Sequence, residues 1–310
     1  MKYLRWVKKN CSSLEGKNII VTGANSGIGL ELTKYICYLG GHVIMACRSL
    51  QRAESAKSKV LEEVPNASLE ILEYDQSSIE SINNFYNVFK SKYTSLYALV
   101  NNAGIYHPAK DSKASNGYPL TIMTNFFGGY YLSKLLIPML ESNEGSRLIF
   151  ESSIAATFNK FKNYDFLSKS LKDTNIEYNL SKLAIGKCYY YLCNQELKTK
   201  LYMAHPGISS TNIFSSKGNS FARWFKKLAT TLLPIFVHCP AKASLGLLKC
   251  VANENITQHV YLAPRGPFHI SGFPKEIKPI KFMRKHNEEF MIEVNKHIDL
   301  MTEVKDVRSK

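Results

Sequence analysis

Thr22-Gly23-Ala24-Asn25-Ser26-Gly27-Ile28-Gly29 follows directly on the apolar run Asn18–Thr22 and opens a helix-period stretch, Ile28–Tyr38. A glycine triplet alone says little, because any tight turn can use one. At the first strand-to-helix turn it says much more. Gly23 permits the tight turn, Gly27 lets a backbone approach a pyrophosphate, and Gly29 allows close helix–strand packing. Asn25, Ser26 and Ile28 complete the loop. The helix start then offers free N–H groups and partial positive charge to phosphates. The stretch reads as a dinucleotide-binding loop.

The second strand says which dinucleotide. An acid about 20 residues past the loop would bond a ribose 2′-hydroxyl. That place reads Ala46-Cys47-Arg48-Ser49. No acid is there, and the Arg48 guanidinium suits a 2′-phosphate. The residues favour NADP(H) over NAD. The competing reading of Arg48 is the start of an exposed helix.

Working outward, short apolar runs alternate with helix-period segments. Strands are expected at Asn18–Thr22, His42–Cys47, Ser68–Tyr74, Leu96–Val100, Arg147–Phe150, Leu201–Ala204 and Val260–Leu262. Helices are expected at Ile28–Tyr38, Gln51–Val64, Ile79–Lys92, Leu120–Leu140 and Tyr178–Leu197. Such alternation predicts an α/β fold, doubly wound and Rossmann-type, with a mainly parallel seven-stranded sheet flanked by helices. One domain is expected over 17–274, with a basic extension at 1–16 and a helical tail at 275–310 that packs on the domain or stays partly loose.

The chain has 310 residues, 45% of them hydrophobic, and a formal net charge of +15. From Leu197 to Asn253 there is no Asp or Glu, while eight Lys or Arg fall inside. A solvated basic face and a membrane-facing surface both account for that. Nucleic-acid binding is not expected, since no recognition motif accompanies the charge. The seven cysteines show no CxxC spacing and read as reduced core thiols, so no disulfide frame or metal site is expected. No segment approaches the roughly 20 apolar residues of a membrane span. A cytoplasmic protein is expected, at most peripheral to a membrane.

Further stretches stand in a definite order: Asn101-Asn102-Ala103-Gly104, then Asn125, Ser152-Ser153, Tyr178-Asn179-Leu180-Ser181-Lys182, and His205-Pro206-Gly207 with Thr211 beyond. With the glycine loop, this order resembles the short-chain dehydrogenase/reductase family over about Lys17 to Pro274. The long gap from Ser153 to Tyr178, and Tyr261–Pro274, are similar to its retinol-dehydrogenase-like and protochlorophyllide-reductase-like branch. The animal retinoid enzymes of that branch often carry an N-terminal membrane anchor, which is not expected in this sequence.

The resemblance implies an NADP(H)-dependent oxidoreductase acting on an alcohol or carbonyl, with Asn125, Ser153, Tyr178 and Lys182 as catalytic residues. Tyr178 would be the acid–base. A free phenol titrates near 10, too high to serve at neutral pH. Lys182 shares its helix face four residues on, and its ammonium would favour phenolate. Lys182 would also hold the nicotinamide ribose. Ser153, ahead of Ser152 because it heads Ser153-Ile154-Ala155, would donate to the substrate oxygen. Asn125 would hold a water leading from Lys182 to solvent. Asp75 would bond the adenine amino group, Asn102, Ala103 and Gly104 would line the adenosine side, and Pro206, Gly207 and Thr211 would cover the nicotinamide. His205 reads as structural. Two copies would pair through the helices carrying Asn125 and Tyr178, as a homodimer.

Three points stay open in the sequence. Glu151 stands before the serine pair, where relatives carry a small apolar or amide residue; inside the sheet it must be paired or protonated, and at the loop end it means little. Gly128 and Gly129 each cost a helix roughly 1 kcal/mol, which marks either a close backbone approach or a helix break. The stretch 208–240 is the expected substrate lid. Its aromatic and basic part, from Phe214 through Trp224 to Val237, suits an apolar pocket and equally a peripheral membrane contact at 214–239. An apolar small-molecule carbonyl or alcohol is the expected partner, and Tyr106 would face it. A non-catalytic NADP(H)-binding sensor of the same fold is the alternative. A sugar-nucleotide epimerase fits the loop spacing less well and would need a sizeable substrate domain.

Overall fold

The computed structural model describes residues 1–106, 108–161, 163–209, 238–278 and 280–303. Strands β1 (Asn18–Thr22), β2 (His42–Cys47), β3 (Leu69–Glu73), β4 (Ala98–Asn101), β5 (Arg147–Glu151), β6 (Lys200–Ala204), β7 (Tyr261–Pro264) and β8 (Pro274–Ile277) form one sheet. Its order is β3-β2-β1-β4-β5-β6-β7-β8. Every neighbouring pair is parallel except β7–β8, which is antiparallel. The order reverses between β1 and β4, so a crevice opens there at the carboxyl ends of the strands.

The expected seven strands are present, and β8 is an eighth. An edge strand with Pro at its start and Lys275 and Glu276 facing outward reads as loop in sequence, because only one side of it is paired. β8 also runs into the stretch expected to begin the tail at 275.

Both faces of the sheet are covered. On one face lie α1 (Leu4–Asn10), α2 (Gly27–Tyr38), α3 (Leu50–Glu63), α8 (Pro240–Ala243) and α9 (Leu245–Ala252), which bury Val7, Leu32, Ala53, Ala243 and Leu247. On the other lie α4 (Ile79–Lys92), α5 (Leu120–Ile122), α6 (Gly128–Glu141), α7 (Thr174–Leu192) and α10 (Asn287–Glu303). Successive residues of β1 serve the two cores in turn: Ile19 and Val21 face one, Ile20 the other.

The basic N-terminal stretch is tied down, with Trp6 stacked on Phe273 at 5.9 Å between ring centroids. The tail is also packed. Phe290, Met291, Val294, Ile298 and Met301 of α10 are buried in the same core as α6 and α7. Tyr130 of α6 donates to Asn295 of α10 at 3.0 Å. Part of the face expected to pair with a second copy is therefore covered by the chain itself. The cysteines in the structure are free thiols, four of them buried. Among the described residues no helix is long and apolar enough to cross a membrane, and no His, Cys, Asp or Glu cluster suits a metal.

Candidate active site

The glycine loop takes the conformation its sequence asks for. Gly23 has φ +68° and Gly27 φ +55°, both in the left-handed region that a Cβ disfavours. A Cβ on Gly29 would fall 2.4 Å from the Gly23 carbonyl oxygen. Ser26 caps α2 without a side-chain hydrogen bond, so the helix N–H groups stay open to the groove. Thr22 Oγ1 accepts from the backbone N–H of Asn102 (3.0 Å) and Ala103 (2.9 Å), and Asn102 Nδ2 returns a bond to the Thr22 carbonyl at 2.7 Å. This threonine locks the loop after β4 onto the loop after β1.

A groove of about 200 Å³ runs along this surface. Gly23, Asn25, Ser26, Gly27, Ile28 and Gly29 line one wall, and Arg48, Asp75, Asn102, Ala103 and Gly104 line the rest. Arg52 lines it too, one helical turn beyond Arg48, and the sequence reading missed it. An Arg on a charged helix looks solvated in sequence unless the facing groove is known. Arg48 Nη1 stands 4.0 Å from Asp75 Oδ2, a loose pair. The other oxygen of Asp75 accepts from the Ser77 backbone N–H at 2.9 Å, which fixes the turn after β3. An open helix start, glycines where a Cβ would block the groove, and arginines in place of an acid at the end of β2 together fit a dinucleotide.

Gly128 and Gly129 are explained by the same wall. A Cβ on Gly128 would lie 1.9 Å from the Gln76 carbonyl oxygen, so the close approach is by this chain's own backbone. No break occurs there: a π turn, Met123–Phe127, joins α5 to α6. Asn125 sits inside that π turn, a feature that recurs at functional sites. Its Oδ1 accepts from the Ile105 N–H at 2.8 Å, and its Nδ2 donates to the Ile105 carbonyl (3.0 Å) and to Ser181 Oγ (3.1 Å). Asn125 thus ties α7 to the loop after β4.

α7 begins earlier than expected. Asp173 caps it, accepting from the N–H groups of Asn175 (2.8 Å) and Ile176 (3.4 Å). That cap was readable as Asp173-Thr174-Asn175-Ile176. It sets Tyr178 one turn inside the helix, where its backbone is held. α7 ends at Leu192 rather than Leu197.

Tyr178 hydrogen-bonds with Ser153, and its ring meets Tyr106 edge to face at 4.7 Å. Ser153 also caps a short helical turn, accepting from the Ala155 N–H at 3.2 Å. Ser152 turns the other way, buried and accepting from Tyr261 Oη at 3.4 Å. Lys182 is buried, and its Nζ donates to the main-chain oxygen of Glu151 at 3.2 Å. A Cβ on Gly104 would lie 3.7 Å from that Nζ, so Lys182 reaches the inner end of the groove.

The electrostatics differ from expectation. Burial pushes the Tyr178 phenol well above its ordinary range; Ser153 draws it down, and the Glu151 carboxylate pushes it further up. The lowering expected from Lys182 does not figure among the influences on the phenol. Its ammonium is 5.9 Å from the ring centroid of Tyr178 and bonded to the Glu151 main chain instead. Glu151 itself is buried, pushed up to about 7 by burial against the pull of Lys182.

Pro206 and Gly207 close β6, apart from the groove lining. Gly207 has φ +78°, and a Cβ there would strike the Ile270 carbonyl at 2.2 Å. His205 Nδ1 accepts from the Gly207 N–H at 3.2 Å, and burial lowers its pKa to about 3, so the ring is neutral. Thr211 and the stretch 214–237 lie outside the described residues.

The short chain dehydrogenase family matches residues 17–170. The WW domain-containing oxidoreductase of Gallus gallus is 37% identical over 178 residues, 55% of this chain and 43% of that protein. This chain therefore spans less than half of that relative's length. Human retinol dehydrogenase 11 is 28% identical over 250 residues, covering 78% of this chain and 75% of its own. Among solved structures, an uncharacterized protein of Mycobacterium paratuberculosis superimposes with a TM-score of 0.71 at 20% identity, over 95% of this chain and 96% of its own. The Pseudomonas aeruginosa RhlG/NADP complex gives 0.65 at 17% identity, over 83% and 98% of the two chains. Motif order, sheet topology and these relatives agree: the chain belongs to the short-chain dehydrogenase/reductase family.

Proposed function

We propose that the chain is an NADP(H)-dependent oxidoreductase interconverting an apolar alcohol and carbonyl, with Tyr178 as general acid and base. The observation that carries this reading is the convergence of Ser153, Tyr178 and Lys182 at the inner end of the glycine-loop groove, with Asn125 bracing α7. When bound, the nicotinamide supplies or accepts the hydride at the substrate carbon. Every other role falls to the chain. Tyr178 gives its proton to the alkoxide oxygen as it forms, or takes it from the alcohol in reverse. Ser153 donates a hydrogen bond to that oxygen where charge develops. Lys182 holds the ribose and places positive charge beside the phenol. Arg48 and Arg52 pair with the 2′-phosphate, and Asp75 with the adenine amino group. Asn102, Ala103 and Gly104 line the adenosine side, and Pro206, Gly207 and Thr211 cover the nicotinamide.

An apolar substrate is supported by the aromatic lid sequence and by the retinol dehydrogenases among the relatives. Membrane contact through 214–239 rests on sequence alone, and a homodimer through α6 and α7 is disfavoured by the packing of α10. One observation favours the sensor alternative: Tyr178 is held as a phenol more firmly than an efficient base would be.

The test is titration of the full chain with NADPH and NADH, followed by a panel of apolar aldehydes, ketones and secondary alcohols. The proposal expects NADPH to bind more tightly and to be consumed with some member of the panel. Tight binding with no turnover on any member would favour the sensor.

A further inference from the structure

Glu151 is the last residue of β5, two before Ser153. Its side chain is 7% exposed. It lines the inner end of the nucleotide groove and also a separate small cavity of about 10 Å³ beside it, shared with Asn101, Asn125 and Gln76. Among the described residues two oxygens here have no hydrogen-bond partner, Glu151 Oε2 and Asn101 Oδ1. Both are acceptors when the carboxyl is ionised, and neither can satisfy the other. A buried carboxylate left this way is costly. A proton on Glu151 turns one acceptor into a donor, and the cavity is close to the smallest that holds one bridging water. The cation acting on this carboxyl is Lys182, and each of the two groups favours the charged form of the other.

Among the described residues, other titratable groups line these two cavities beside Glu151, which burial pushes up to about 7. Cys188 of α7 and Tyr130 of α6 line the small cavity, and burial keeps both neutral. Tyr178 on α7 is a phenol for the same reason. Arg48, Arg52, Tyr74 and Asp75 line the groove itself.

We propose that Glu151 is a positioning residue whose buried carboxyl holds a proton of its own and thereby sets the charge that Tyr178 faces. Its consequence for catalysis rests on the function proposed above; the assignment itself does not. When Tyr178 protonates a substrate oxygen, its O–H bond breaks and a phenolate remains. An ionised Glu151 opposes the charge on that phenolate and a protonated one does not; alcohol oxidation, which starts from the phenolate, meets the same charge. The sign follows from burial. Below about pH 7 Glu151 is protonated and does not oppose the phenolate; above it, the carboxylate does.

The experiment follows glutamate carboxyl carbons by NMR across the neutral range, in the full chain made with isotope-labelled glutamate, with and without NADPH. One carboxyl is expected to titrate near neutrality, and that signal is expected to vanish in Glu151→Gln. In the same variant, tyrosinate absorbance should begin to rise at a lower pH than in the native chain. If every carboxyl of the native chain titrates in the ordinary acidic range, the proposal is overturned, and this needs no variant to fold. A neutral-range signal that survives in Glu151→Gln, or a tyrosine titration unmoved by it, overturns it equally. NADPH binding is read in the same samples. Its absence would sink the proposed function and leave the Glu151 result standing.

Discussion

Arg48 shows how one side chain can carry cofactor choice. Its side chain is 62% exposed, and its partner Asp75 stands at the 4.0 Å limit of an ion pair. Such exposed pairs are worth about 0–1 kcal/mol, so Asp75 does not withhold the guanidinium from a phosphate. A charge-assisted bond to phosphate contributes about 1.5–3 kcal/mol. Arg48→Ala is therefore expected to weaken NADPH about 10- to 100-fold and to leave NADH nearly unchanged, as read by calorimetric titration. Equal weakening of both would show that Arg48 serves the fold instead. Arg48 was legible because it stands where an acid would declare NAD. Arg52 was not, because helix spacing alone does not say which exposed arginine faces a groove. Glu151 was flagged by its type, but only the packing of α6 and α7 against β5 says which way it points and what it meets.

At the scale of elements, Gly128 and Gly246 make a matched pair. Both are buried helix glycines. A Cβ on Gly128 would lie 1.9 Å from the Gln76 carbonyl, whereas one on Gly246 would meet Ala204 Cβ at an ordinary 3.6 Å. Gly246→Ala is expected to be neutral or to stabilise by up to about 1 kcal/mol. Gly128→Ala is expected to destabilise by about 1–3 kcal/mol through overpacking. Because Gln76 lines the groove, Gly128→Ala should also weaken NADPH binding. Denaturant melts of the two variants check the pair; equal effects would contradict the packing argument. The double glycine announced a close approach in the sequence. What approached was not legible, because Gln76 and Gly128 lie far apart in the chain. The start of α7 was legible in Asp173 and overlooked, since the apolar periodicity strengthens only at Tyr178. The π turn around Asn125 has no sequence signature, because the chain there reads as uninterrupted helix.

Across the whole molecule, the parallel sheet and its order of strands follow from short apolar runs alternating with helices, and the groove from the reversal between β1 and β4. The antiparallel edge β8 escaped that logic because an exposed edge need not be apolar. Whether the tail packs was left open in the sequence, since mixed charge along a helix does not reveal how much of its other face is buried; α10 takes the packed alternative. All of this architecture brings the end of β5, the π turn and α7 together around one phenol. The most direct measurement compares the native chain with Tyr178→Phe, in NADPH binding and in NADPH consumption with a carbonyl that the native chain reduces. The account predicts unchanged binding and a loss of turnover of about 10²- to 10⁴-fold or more. A Tyr178→Phe variant that turns over at the native rate would contradict it.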